Sequence, residues 1–210
     1  MIKANSALLV VDMQNDFMPG GALGVVEGDT IIPRVNEYVR LFEEHPHPIF
    51  YTRDWHPPKT IHFIAQGGPW PPHCVQGTWG AAFHQDMHIP QEAIILSKGM
   101  DPNEDAYSGF HARDEQGRYL EDLLREYSVA HVYICGLALD YCVKWSSVDA
   151  ADKGFHMYPL IDASRAVNVK IHDAELAVEE IVRVGGTLLT IEWLREPTGE
   201  AIPTARELDL

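Results

Sequence analysis

His131-Val132-Tyr133-Ile134-Cys135-Gly136-Leu137-Ala138-Leu139-Asp140-Tyr141-Cys142-Val143 is the stretch on which the fold turns. Residues 131–135 form an apolar, partly β-branched run, the pattern of a strand buried on both faces. Residues 143–153 read as a helix stopped by Gly154. A strand that passes through a short turn into a helix is one half of a βαβ unit. It sets Cys142 at a helix start, where unpaired N–H groups and the positive dipole end favour the reactive thiolate. Cys142 is therefore a candidate nucleophile.

The same alternation extends outward on both sides. Strands are expected at residues 7–11, 48–52, 93–97, 131–135, 155–161 and 187–191. Between them, helices are expected near 30–45, 119–127, 143–153 and 173–184. The first would be capped by Asp29 or Thr30, with Pro33 tolerated in its first turn. The last would be stopped by Gly185-Gly186. The pattern predicts a three-layer α/β/α architecture around a central, mostly parallel six-stranded sheet. One domain is expected over residues 1–194, followed by a polar, proline-containing C-terminal tail at 195–210. Residues 54–91 break the rhythm as a long loop rich in Pro, Gly, His and Trp, expected to be anchored by Trp55, Phe63, Trp70 and Trp79.

At 210 residues the chain can bury a substantial single core. Its 16 basic and 31 acidic residues give a net charge of −15, which argues against nucleic-acid and anionic-membrane partners. Three cysteines, Cys74, Cys135 and Cys142, offer no disulfide framework and suit a reducing compartment. With no apolar leader and no run of about 20 apolar residues, the expectation is a cytoplasmic protein.

In an open parallel sheet, ligands bind beyond the carboxyl ends of the strands. Asp12 follows the first strand, Asp54 and His56 the second, Lys98 the third and Cys142 the fourth. Taken singly, each has an ordinary reading: a turn aspartate, a solvated lysine, a small core cysteine. Cys135, inside its strand, fits the last of these. Four such groups on consecutive strand ends point to one crevice. Asp54-Trp55-His56 offers two metal ligands on one extended segment, where residues two apart point the same way. His62 and His73 lie further along the loop, and oxygen-plus-imidazole ligation suits Zn²⁺, Fe²⁺ or Mn²⁺. The competing reading is chance placement, since the chain has 11 histidines. His84 and His88 read as surface residues.

Several separate motifs then occur in order. They are Val11-Asp12-Met13-Gln14-Asn15-Asp16-Phe17, Asp54-Trp55-His56-Pro57, Trp70-Pro71-Pro72-His73-Cys74-Val75-Gln76-Gly77-Thr78, Ser97-Lys98-Gly99, Ala106-Tyr107-Ser108-Gly109-Phe110 and residues 136–143. Together, over residues 6–191, the chain resembles the nicotinamidase/pyrazinamidase branch of the isochorismatase-like cysteine hydrolases. The resemblance implies hydrolysis of nicotinamide, with pyrazinamide as a further substrate, to the acid and ammonia in NAD salvage. It implies a triad of Asp12 as acid/base, Lys98 as support and Cys142 as the nucleophile that forms a thioester. It implies an oxyanion hole from the backbone of Ala138 and Cys142, and a cis peptide at Leu137–Ala138. It implies one divalent metal ion, foremost zinc with iron or manganese as alternatives, on Asp54, His56 and His73. In some members a further histidine six residues beyond the Asp-x-His histidine also binds, and His62 has that spacing. Phe17, Trp70 and Tyr107 match positions that line the ring pocket. The partner implied is a small molecule, and a homo-oligomer is compatible with the family. Leu139 departs from the pattern, in which threonine is common.

Other readings stay open at this point. An amidohydrolase of the same superfamily could act on an N-carbamoyl compound. A vinyl-ether hydrolase would not need the cysteine, and a zinc hydrolase could use metal-bound water. A silent ligand-binding protein would have no use for Asp12, Lys98 and Cys142. A thioredoxin-like role lacks its Cys-x-x-Cys pair.

Overall fold

Near-continuous apolar strands separated by amphipathic helices can bury their surface only as a covered parallel sheet. The computed structural model, which describes residues 2–195, has that form. Its strands are β1 (Ser6–Val11), β2 (Ile49–Asp54), β3 (Ile94–Lys98), β4 (His131–Leu137) and β5 (His156–Arg165). They form one sheet in the order β3-β2-β1-β4-β5, and every neighbouring pair is parallel.

Alternation along β1 shows how the layers are filled. Leu8 and Val10 face one apolar cluster, with Val35, Tyr38, Val39 and Phe42 of α1 (Ile32–Glu43) and Ile191 and Leu194 of α5 (Ile191–Arg195). Ala7, Leu9 and Val11 face the other. That cluster holds Leu120, Leu123 and Leu124 of α2 (Leu120–Glu126), Ala150 of α3 (Lys144–Asp152), and Val178 and Ile181 of α4 (Asp173–Arg183). The period of two sends successive side chains to opposite faces, and both faces are apolar because both are covered.

The chain builds outward from β1 through β2 to β3, then returns to place β4 on the other side of β1. The ends of β1 and β4 thus flank the switch point, where an open parallel sheet leaves its crevice. The two strands approach closely there. Gly136 pairs with Val11 at a φ of +115°, and a Cβ at Gly136 would overlap the Val11 backbone.

Several expectations change. The sheet has five strands among the described residues, not six. Leu189 makes one parallel bridge to Leu160. The carboxylate of Asp162 then accepts from the Ile191 N–H at 3.2 Å, where α5 begins. That bond turns the chain into a helix before a strand can extend. The expected Asp29/Thr30 cap is not used: the cap position is Ile31, and Thr30 Oγ1 donates to Glu27 O at 2.7 Å in the turn before. Phe63 is buried in the long loop, but Trp79 is 71% exposed and holds the loop only through its backbone carbonyl, which accepts from Asn15 Nδ2 at 2.8 Å. Apart from Arg195, the expected tail lies outside the described residues.

Candidate active site

The rim of the sheet collects the ionisable groups. Asp54 and Lys98 are the last residues of β2 and β3, not residues beyond them, and the parallel register sets them opposite each other. Asp12 follows β1 at a φ of +50°, a conformation that aspartate tolerates better than most residues. The Lys98 side chain is fully buried. Its Nζ lies 2.8 Å from Asp12 Oδ2, in contact with Asp54 Oδ1, and 3.5 Å from Cys142 Sγ. Thr52 Oγ1 donates to Asp12 Oδ1 at 2.8 Å. Asp12 thus stands between the Lys98 ammonium and the Cys142 thiol, and interacts with both.

One ammonium faces two carboxylates and a thiol in a dry site. Burial raises the Asp12 carboxyl, and the nearby Lys98 only partly offsets it. Burial would also raise Asp54, but the Lys98 ammonium, and after it the neighbouring His56 and His73, hold it well below the usual carboxylate range. Burial alone would lower Lys98, yet Asp12 and Asp54 keep it firmly charged. The Cys142 thiol is pushed well above its ordinary value, first by burial and then by Asp12 and Asp54, against the pull of Lys98. Burial thus outweighs the pull of the helix start toward a thiolate. The site supports a neutral thiol beside a base that can take its proton.

Cys142 does not sit in the first turn of a regular helix. It lies in a π-turn, Leu139–Val143, that leads into α3. The Val143 N–H donates back to Ala138 O at 3.1 Å, five residues earlier. Such a wide turn is a common feature of functional sites. The Leu137–Ala138 peptide is cis, as the resemblance implied.

The histidines of the long loop gather beside the rim. His56, His62 and His73 are buried, and each offers a ligand atom within 4.8 Å of the others. His56 Nδ1 lies 3.0 Å from Gly99 O, and His73 Nδ1 lies 2.8 Å from Pro71 O. A carbonyl only accepts, so both Nδ1 atoms carry the proton and both Nε2 atoms present a lone pair. His56 Nε2 is buried with no hydrogen-bond partner. Asp54 Oδ2 lies 3.6 Å from His56 Nε2 and 3.7 Å from His73 Nε2. Three imidazoles gathered together, one with an orphaned nitrogen, and a carboxylate oxygen beside two of them are a donor set for a divalent cation. His62 has its Nδ1 against the Asp105 carboxylate. Burial lowers its pKa and keeps the ring neutral, as a ligand must be.

One small, mostly apolar cavity borders both groups, with Asp12, Lys98 and His56 outside its wall. Cys142 and Ala138 lie along its wall with Asp54, His62 and His73, and Phe17, Trp70 and Tyr107 line it with them. Trp70 Nε1 donates to Tyr107 OH at 2.8 Å, locking two walls together. The cavity also takes Leu23, Tyr141 and Val167, which the sequence reading missed. Tyr141 stands next to the nucleophile in the motif and could have been read there. Leu23 and Val167 are single apolar loop residues without any periodic signal. Two further supports were missed inside the first motif. Buried Gln14 accepts from Asp54 N–H at 2.7 Å and donates to Asp54 O at 2.8 Å. Asp16 Oδ2 accepts from Cys74 N–H at 2.7 Å, beside His73.

Comparison with known proteins agrees with this geometry. Residues 6–192 match the isochorismatase domain family. The chain is 34% identical to the nicotinamidase of Escherichia coli over 209 residues, 92% of this chain and 98% of that one. A crystal structure of the pyrazinamidase of Pyrococcus horikoshii in complex with zinc superposes with a TM-score of 0.82 at 49% identity, covering 89% and 99% of the two chains. The structure of PnC1 from L. infantum in complex with nicotinate gives 0.79 at 34% identity, covering 90% and 93%. The chain belongs to the isochorismatase family, in its nicotinamidase/pyrazinamidase branch. It is an amidohydrolase. Among the described residues no helix is long and apolar enough to cross a membrane.

Proposed function

We propose that the protein hydrolyses nicotinamide, and pyrazinamide with it, to the carboxylic acid and ammonia, as a step in NAD salvage in the cytoplasm. The observation that carries this reading is the single cavity shared by the Cys142 thiol and the imidazole–carboxylate cluster, walled by aromatic rings. In this reading the pyridine ring stands among Phe17, Trp70 and Tyr107 with its carboxamide toward Cys142. The likeness to a pyrazinamidase in complex with zinc and to a protein in complex with nicotinate supports a metal ion and a pyridine carboxyl compound as ligands.

The chain's own residues supply the acyl transfer. Asp12 takes the thiol proton, and Lys98 holds Asp12 and balances the charge that remains. The sulfur attacks the carboxamide carbon. The oxygen that gains charge is held by the backbone N–H groups of Ala138 and Cys142, at the π-turn. Asp12 returns its proton to the departing ammonia and leaves a nicotinoyl thioester on Cys142. Asp12 then activates water, and hydrolysis restores the thiol. Asp54, His56 and His73, with His62, would hold one divalent ion, zinc foremost, and when bound it supplies a Lewis-acid anchor for the ring nitrogen.

The test is ammonia release from nicotinamide, pyrazinamide and a set of N-carbamoyl amides. Turnover of the two ring amides, lost in Cys142→Ala, is the expected result. Turnover confined to the carbamoyl compounds would replace the substrate assignment, and a Cys142→Ala enzyme of undiminished rate would remove the covalent route.

A further inference from the structure

Three imidazoles meet at the cluster, but they are not held alike. His56 and His73 are each fixed from behind by a backbone carbonyl, Gly99 O and Pro71 O. Behind His62 stands a side chain from another segment, the carboxylate of Asp105. The His62 side chain is 4% exposed, whereas that of Asp105 is 50% exposed.

We propose that Asp105 is a positioning residue for the metal site: by accepting from His62 Nδ1–H it fixes that ring's tautomer and turns Nε2 toward His56 and His73. The inference deepens the metal reading above and rests on it. An imidazole can present either nitrogen, and the partner of one nitrogen decides which is free for a cation. A carboxylate partner also makes the ring a stronger donor, which a carbonyl does less well. The same segment is tied in at three other points. Gly99 O holds His56, and Gly99 must stay a glycine because its φ is +67° and a Cβ would overlap the His56 ring. Pro102 O accepts from Ile61 N–H at 2.9 Å, directly beside His62. Tyr107 OH accepts from Trp70 Nε1. Residues 99–107 thus hold the outer sides of two imidazoles and supply one wall of the ring pocket. Asp105 makes the third imidazole a ligand only while this segment lies against the loop.

The experiment measures zinc affinity of the full chain by competition with a chromophoric chelator, in wild type, Asp105→Ala, Asp105→Asn and His62→Ala. The visible spectrum of the cobalt-loaded form and the melting curve of the metal-free form are recorded alongside. Wild type should bind one ion. Asp105→Ala should lose about 10–100-fold in affinity and shift the cobalt bands, while its metal-free melting curve matches wild type. Asp105→Asn keeps an accepting oxygen without the charge, so its loss should be smaller and is read independently of Asp105→Ala. If both Asp105 variants bind zinc as wild type does while His62→Ala binds weakly, the role of Asp105 is overturned and the metal reading stands. Unchanged affinity in His62→Ala removes His62 as a ligand and the proposal with it. A wild type that takes up no ion overturns both.

Discussion

The strand-end rim and the long loop after β2 bring buried ionisable groups together by different physics. At the rim, sheet register does the placing: Asp54 stands opposite Lys98, and Asp12 follows the residue paired with Thr52. The forces there are charge against charge in a dry site, with one ammonium for two carboxylates. In the loop there is little regular structure, and hydrogen bonds place each group. Gln14 grips the Asp54 backbone, Asp16 holds the turn beside His73, and carbonyls orient two imidazoles. The comparison teaches that a rim residue is costly to alter because it leaves a charge unbalanced, whereas a loop residue matters only if it is buried or holds a ligand.

The largest effect should come from Cys142→Ala, which removes the nucleophile and touches no loop hydrogen bond. Turnover should fall by on the order of 10⁵-fold or more, with zinc uptake unchanged in a chelator assay. Coupled loss of zinc would mean that rim and loop are not separate units. Lys98→Met comes next. It leaves Asp12 and Asp54 facing each other without a cation and should cost about 3–5 kcal/mol in chemical denaturation. An unchanged denaturation midpoint would refute the charge account of the rim.

The pH profile sharpens the same point. Asp12 acts as a base only when ionised, and its pKa is raised by burial. Activity should therefore fall as pH drops through that raised value, so the acid limb of kcat/KM should lie above the ordinary carboxylate value of about 3.9. A limb at or below that value would show that the base is not a buried carboxylate. The smallest effect separates two aromatics of the loop: Trp79→Ala should change stability by less than about 0.5 kcal/mol, whereas Phe63→Ala should cost about 3–5. Equal costs would contradict the exposure of Trp79.

The rim was legible in the sequence because its logic is periodic. Apolar strands of fixed spacing end at Asp12, Asp54 and Lys98, and the only errors were a residue or two at each boundary. The sixth strand misled because 187–191 has strand composition, while the competing bond from Asp162 lies 29 positions away. The weight of burial on the Cys142 thiol was not legible, because burial and two neighbouring carboxylates leave no local mark in the chain. The loop ligands were reached through motif spacing and the resemblance they carried. Gln14, Asp105 and Val167 were not, since each acts through a partner distant in sequence.

The central claim is that the Cys142 sulfur carries the acyl group. Rapid quenching of the enzyme with nicotinamide, followed by peptide mass spectrometry, tests it most directly. The account predicts a transient nicotinoyl thioester on the peptide containing Cys142, absent from Cys142→Ala. Ammonia formed by the wild type with no acyl group on that peptide, and formed as fast by Cys142→Ala, would contradict it.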